Sequence, residues 1–188
     1  MGGDIMRKCI FDWILRIEGG YVNDPLDHGG ETNYGITWKT LEEAYNQGIV
    51  DYTEVSKLNL TDVELIYEKM YYDTSKANEM NFPIDWCHVD AAINHGPGRA
   101  GKFMQTVIND YYPGKLTVDG VLGPMSMYEV HNMMMVQSPK DIINRYLTHR
   151  EAFYHRIVEN NPSQQRFIKG WMNRLKWLVS AIKKETIL

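Results

Sequence analysis

The sequence has little of three features that mark specialised classes of protein. Its 188 residues include two cysteines, Cys9 and Cys87, too few for a disulfide framework and without metal-site spacing, so we expect buried thiols. An apolar run of about 18 residues and a basic-then-apolar N-terminus are both missing. This predicts synthesis in the cytoplasm without a signal peptide, and no stable membrane insertion. With 44% hydrophobic residues and a net charge of −4, the chain is not expected to be disordered.

The small net charge conceals an uneven distribution along the chain. Residues 145–188 hold nine basic and three acidic residues, a local net charge of +6 that leaves −10 for residues 1–144. A basic end of this kind is often the solvated face of amphipathic helices, but it also suits a polyanionic partner such as a wall polymer. No nucleic-acid-binding motif accompanies it, so nucleic acid is not expected as a partner.

Helical periodicity dominates the sequence. The stripe Ile10, Trp13, Ile14 and Ile17 predicts a first helix that ends near Glu18. Between residues 21 and 37 the composition changes to Asn, Asp, Pro, Gly and Thr, which favours a loop or a small twisted hairpin. Capping and breaking residues, including a capping box at 61–64 and a Ser-Pro start at 138–139, predict the other helices. They are expected over residues 38–47, 61–73, 84–94, 99–110, around 133–135, 138–159 and 164–184. We therefore expect a mainly α-helical fold with a small β-hairpin lobe.

Two carboxylates in the least helical stretch are candidates for acid–base chemistry. Glu18 adjoins the apolar stripe, so partial burial would favour the protonated form that a general acid requires. Asp27 follows nine positions later, and the intervening glycines and turn residues allow the loop to double back. A glycosidase pair needs its carboxyl groups within about 5 to 9.5 Å. The spacing alone fits ordinary capping, solvation or an irregular calcium loop as well.

A longer pattern around these carboxylates distinguishes between those alternatives. Residues 18–25 read EGGYVNDP and residues 27–37 read DHGGETNYGIT, and together they resemble the signature of glycoside hydrolase family 108. The family consists of lysozyme-like N-acetylmuramidases of phage endolysins and bacterial prophage or cell-wall loci. Further segments that agree with it are residues 90–96, Gln105, residues 119–124, Arg150 with Tyr154, and residues 170–174.

The resemblance implies a lysozyme-like peptidoglycan hydrolase that cleaves the bond between N-acetylmuramic acid and N-acetylglucosamine without a cofactor or metal. Glu18 matches the general acid and Asp27 the second carboxylate, which would assist water or stabilise the developing positive charge. Thr32 is the first candidate for a catalytic threonine, and Thr37 is the alternative. The residues expected to contact the substrate are Tyr21, Asn33, Tyr34, Thr37, Asn94, His95 and Gln105.

The same resemblance predicts the organisation of the chain and its surroundings. Residues 1–95 would form the catalytic region, and residues 96–188 a helical peptidoglycan-binding region packed into the same globule. The basic residues expected to dock on anionic wall are Arg166, Lys169, Arg174 and Lys176. Without a signal peptide, the enzyme would reach the wall through a holin, a secretion pore or lysis. The alternative function is that of a non-catalytic wall-binding or secretion-associated protein of the same fold.

Overall fold

The computed structural model describes residues 2–18 and 32–186, and most of these residues are helical. Its α-helices are α1 Gly2–Glu18, α2 Trp38–Asn46, α3 Leu60–Tyr67, α4 Ile84–His95, α5 Pro97–Tyr111, α6 Pro124–Val136, α7 Pro139–Asn160 and α8 Ile168–Thr186. The short elements are strands β1 Thr32–Asn33 and β2 Ile36–Thr37, a π-helix at Glu68–Asp73, and 3₁₀ helices at Val55–Lys57, Ala77–Glu79 and Pro162–Phe167. The predicted class, mainly α-helical with a small hairpin, is confirmed. Within the described residues, no helix combines the length and the apolar character needed to cross a membrane.

The chain divides into two compact units, Met1–Thr74 and Ser75–Leu188. This division lies before the predicted boundary at residues 95 and 96, because α4 packs with the helices that follow it. Every residue of α4 from Ile84 to Ala92 is buried, and the helix contacts both α5 and α7. A helix that is buried on all sides needs neighbours all round, and α5 and α7 supply them in the second unit.

The helix starts show which capping signals the chain uses. Ser138 caps α7 as predicted, since its side chain accepts a hydrogen bond from the Asp141 amide at 3.1 Å. The predicted cap of α3 at Thr61 is wrong. Asn59 caps this helix instead, and its Oδ1 accepts from the Asp62 amide at 3.0 Å. Asn59 has the extended backbone that a capping residue needs, whereas Thr61 already lies in the first turn.

The hairpin is the only sheet among the described residues. Its two strands are antiparallel, with Thr32 opposite Thr37 and Asn33 opposite Ile36. The two turn residues, Tyr34 and Gly35, both have positive φ angles, of 50° and 77°. Positive φ at both positions is typical of the two-residue turn that matches the twist of a hairpin. The turn therefore projects from the strands immediately before α2.

The core of the first unit is formed by the inward faces of its helices. Ile10 and Ile14 of α1 are fully buried, in agreement with the predicted stripe. They are joined in the core by Ile36, Leu41, Ala44, Val63, Ile66 and Tyr67. Of the two cysteines, Cys87 is buried in α4 and Cys9 is half-buried in α1. The core thus holds the end of α1, the hairpin and α3 in one unit.

Candidate active site

The last residue of α1 lies beside the hairpin turn. A Cβ atom added at Gly35 would lie 2.9 Å from Glu18 Oε2 and 2.8 Å from Tyr67 Oη, both too close for real atoms. The Tyr67 hydroxyl donates a hydrogen bond to the Tyr34 carbonyl at 2.7 Å. Glycine at position 35 therefore provides both the positive φ and the room for the Glu18 carboxylate. The helix end, the turn and α3 together fix the position of this carboxylate.

Tyr71, one turn beyond Tyr67, belongs to the same neighbourhood. The two rings have centroids 5.8 Å apart. Burial raises the pKa of Tyr71, the hydrogen bond with Thr40 lowers it, and the negative charges of Glu43 and Glu18 raise it further. A carboxylate must be near to act on this phenol, so Glu18 faces a small aromatic cluster. Both tyrosines lie 30 or more positions beyond the motif, so the motif does not indicate them.

The two candidate threonines form a pair across the hairpin. Thr37 caps α2, and its Oγ1 accepts from the Thr40 amide at 3.2 Å. Thr32 is half-buried on the neighbouring strand. Because the Thr37 hydroxyl already serves the helix start, Thr32 stays the first candidate for a catalytic role. Asp27 and Tyr21 lie outside the described residues.

Asn33 has a structural environment that differs from the predicted one. Its side chain is buried, and its amide nitrogen donates to the Val55 and Leu58 carbonyls at 3.5 and 3.4 Å. These bonds tie the hairpin to the 3₁₀ helix and the segment that follows it. Asn33 therefore supports the hairpin, and its contact with substrate stays a prediction. Its neighbour Tyr34 is half-buried, which leaves part of its side chain accessible.

The three other predicted contact residues lie in the second unit. Gln105 is 1% exposed, and its amide is fully used by one loop: it donates to Asp119 Oδ1 and the Val121 carbonyl and accepts from the Gly120 amide. These bonds make Gln105 a support of the 119–121 loop, and its contact with substrate stays a prediction. Asn94 is half-buried and donates to the Asp90 carbonyl at 2.9 Å within α4. His95, also half-buried, keeps a partly exposed ring.

Several of the matching segments meet at a buried ion cluster. The Asp90 carboxylate of α4 lies 2.8 Å from Arg150 Nη2 of α7 and 2.9 Å from Arg174 Nε of α8, and Asp90 and Arg150 are fully buried. Burial alone would raise the pKa of Asp90, but the two guanidinium groups outweigh it and hold this pKa below its usual value. The Arg174 side chain is 11% exposed. Most of its side chain is therefore packed against Asp90 and little of it is exposed.

A chain of hydrogen bonds leads from this cluster to His95. Arg150 donates to the Tyr154 hydroxyl at 3.4 Å, and that hydroxyl lies 3.1 Å from His95 Nε2. Burial lowers the pKa of His95 to about 4, and the positive charge of Arg150 lowers it as well. His95 is therefore neutral near pH 7, and its Nε2 shares a hydrogen bond with the Tyr154 hydroxyl. The cluster fixes both the orientation and the protonation state of this ring.

His88 is a second neutral histidine of α4, and it is completely buried. Its Nε2 donates to the Ser75 carbonyl at 2.9 Å, because a carbonyl can only accept. Nδ1 therefore accepts from the Tyr146 hydroxyl, 3.0 Å away. Burial lowers the pKa of His88 to about 4, and the ring takes up a proton much less readily than in the unfolded chain.

Acidification should weaken the fold in a defined pH range because of His88 and His95. Their pKa values fall from 6.5 to about 4 on folding, so the unfolded chain binds more protons between these limits. The free energy of unfolding should be highest above pH 6.5, decrease as the pH falls to about 4, and then level off as far as these groups are concerned. Buried His88 should account for about 3 kcal/mol of the loss. Urea unfolding between pH 7 and 4 measures the loss. An NMR titration that placed His88 near its ordinary pKa would contradict it.

These features define a class before any relative is considered. In a mainly helical unit, the half-buried Glu18 carboxylate lies at a helix end, beside a hairpin turn and aromatic side chains. This arrangement suits acid catalysis on glycans. Residues 11–96 match the family model described as glycosyl hydrolase 108, and residues 99–176 match the one described as a predicted peptidoglycan domain. The first half of the chain is thus similar to glycosyl hydrolase family 108, and the second half is similar to a peptidoglycan domain. The chain is a glycoside hydrolase that acts on peptidoglycan.

A solved structure agrees with this similarity over nearly the full length of the chain. Brucella abortus SagA is 28% identical, with a TM-score of 0.75, and the match covers 96% of this chain and 95% of that chain. No curated protein sequence matches significantly. The predicted family resemblance is confirmed, and it extends over both units.

Proposed function

We propose that this peptidoglycan hydrolase is an N-acetylmuramidase. Glu18 donates a proton to the glycosidic oxygen between N-acetylmuramic acid and N-acetylglucosamine. Asp27 stays ionised and assists the attacking water or the charge that develops at the anomeric carbon. Thr32 lies on the strand beside the turn, where its hydroxyl would help to position the water, and Tyr34 contacts the sugar.

The position of the Glu18 carboxylate carries this proposal. Glu18 is the last residue of α1 and lies in the segment that matches the hydrolase family. Glycine at position 35 leaves room for its carboxylate, and a larger residue at position 35 would fill that space. General acids need such fixed placement, because proton transfer requires the donor within hydrogen-bond reach of the leaving oxygen.

Product analysis of digested sacculi tests the bond that is cleaved. Purified sacculi incubated with the protein should release fragments whose new reducing ends are N-acetylmuramic acid, detected after borohydride reduction and mass spectrometry. N-acetylglucosamine at the new reducing ends would contradict the muramidase assignment. Binding to sacculi without any release of reducing sugar would favour the alternative, a non-catalytic wall-binding protein of the same fold.

Gly35→Ala should lower both activity and stability, because the added methyl group collides with Glu18 and Tyr67. Gly48→Ala is the matched control. Gly48 has a φ of 71°, close to the 77° of Gly35, but a Cβ there meets nothing within 4 Å. Both variants should lose about 1 kcal/mol of unfolding free energy from backbone strain. Sacculus hydrolysis should decrease at least tenfold in Gly35→Ala alone, and equal activities would show that the turn does not position Glu18.

The route to the wall belongs to the same proposal. A muramidase acts outside the cytoplasmic membrane, so a holin-like or secretion pore, or lysis of the cell, would bring it to its substrate. Co-expression with a pore-forming partner should make cells lyse, whereas expression of the enzyme alone should not. Lysis that is independent of the partner would contradict this route.

A further inference from the structure

The second unit contains an open groove between α7 and α8 that the proposed catalysis does not use. Its volume is about 620 Å³. Four apolar side chains line it, Leu147 from α7 and Met172, Leu175 and Val179 from α8. Its polar lining is Asn144, Thr148, Glu151, Lys176, Ser180 and Lys183. The groove is thus apolar in part and has polar and charged groups along both helices.

Two ammonium groups mark one side of this groove. Lys176 and Lys183 are seven residues apart on α8, about two helical turns or 10 Å along the axis, and so lie on the same face. Both are exposed, and neither forms an ion pair in the part of the chain that the structure describes. On the α7 side, Glu151 lies 3.9 Å from His155. The groove therefore offers two ammonium groups on the α8 side and one carboxylate on the α7 side, beside an apolar surface.

The lining favours a peptide over a sugar chain as the occupant. Pyranose rings pack best on flat aromatic faces, and the groove has no aromatic lining residue. A polyphosphate would use the lysines but would gain nothing from Leu147, Met172, Leu175 and Val179. A short peptide with both carboxylates and small apolar side chains would satisfy both parts. The stem peptides of peptidoglycan have this chemistry, since they carry alanine methyl groups and free carboxylates.

We propose that the α7–α8 groove binds the stem peptide of peptidoglycan, with Lys176 and Lys183 contacting its carboxylates and the apolar side chains contacting its methyl groups. This inference rests on the proposed action on peptidoglycan, and it assigns the recognition of the peptide to a place away from the carboxylate chemistry. It also replaces the broad basic face expected from the sequence by two specific residues. Arg174, buried against Asp90, is not part of this surface.

Binding of a free stem tetrapeptide to the full chain tests the groove directly. The double variant Lys176→Gln, Lys183→Gln should weaken the affinity about tenfold, the sum of two modest exposed ion pairs. The matched control is Lys169→Gln, Lys184→Gln. It removes the same charge from two exposed residues of α8 that do not line the groove. The control should bind within twofold of the wild type by isothermal titration calorimetry.

Three results would overturn the proposal. Equal weakening in the two double variants would show that only the net charge of α8 matters. Unchanged affinity in the groove variant would exclude the groove, and so would failure of the wild type to bind the peptide while still cleaving sacculi. Hydrolysis of peptide-free glycan strands separates this from the proposed function, because it should be equal in the wild type and both variants. Loss of hydrolysis in the wild type itself would refute the catalytic proposal instead.

Discussion

Glu18→Gln should lower the rate of sacculus hydrolysis by about 10² to 10⁴-fold and leave the fold intact. The substitution keeps the size and shape of the side chain that lies against Gly35, so the packing of α1 on the turn should not change. It removes the proton that the leaving oxygen must receive, and general acids contribute rate factors of about this size. Release of reducing sugar from sacculi at saturating enzyme measures the effect, with circular dichroism as the check on folding.

A neighbouring carboxylate provides the control for Glu18. Glu43 is an exposed residue of α2 whose charge also raises the pKa of Tyr71, so it lies near the same cluster. Glu43→Gln makes the same chemical change, from carboxyl group to amide, beside the same cluster without removing the proposed acid. Its activity should stay within about threefold of the wild type. Comparable losses in the two variants would mean that the local field, and not proton donation by Glu18, supports the reaction.

Asp90→Asn should be the most destabilising conservative substitution in the second unit. It removes a carboxylate that lies between Arg150 and Arg174, and it takes away the negative partner of the fully buried Arg150 guanidinium. Removal of one member of a buried ion pair costs about 3 to 5 kcal/mol. This is a large fraction of the roughly 5 to 15 kcal/mol by which such domains are stable. Urea unfolding at pH 7 should show an equivalent shift of the midpoint.

An exposed ion pair gives the comparison for Asp90. Glu54 lies 2.8 Å from Lys57, and both side chains are more than half exposed. Glu54→Gln makes the same chemical change, from carboxylate to amide, at a pair that water screens. It should leave the unfolding midpoint unchanged. If Asp90→Asn behaved like Glu54→Gln, the buried cluster would not hold α4, α7 and α8 together.

Local signals explain how much of the fold is predictable from the sequence. The start of α7 at Ser138 depends on neighbouring residues, and it is as expected. The cap of α3 is wrong by two residues, since Asn59 and Thr61 are both good capping residues and the backbone decides between them. The division between the two units lies before α4 because of the packing of that helix, which no local pattern reveals.

The candidate site is also only partly predictable from the sequence. Glu18 and Tyr34 belong to one short motif, so the sequence is enough to find them. Tyr67 bonds to the backbone of a residue 33 positions away, and nothing in the spacing of its own helix indicates this contact. Gln105 suits a substrate contact by its polar character. Only the structure shows that its side-chain amide is hydrogen-bonded to the loop at residues 119–121.

The burial of α4 also bears on how such proteins can be recombined. The hydrolase family match continues to residue 96 and therefore includes α4, while α4 packs against α5 and α7 of the peptidoglycan domain. A gene fusion or truncation made between residues 96 and 99 would separate α4 from the helices that bury it. The apolar side chains of the hydrolase fragment would then face water, and the other fragment would lack its central helix. The two family segments are consequently expected to be inherited and exchanged together, as one evolutionary module.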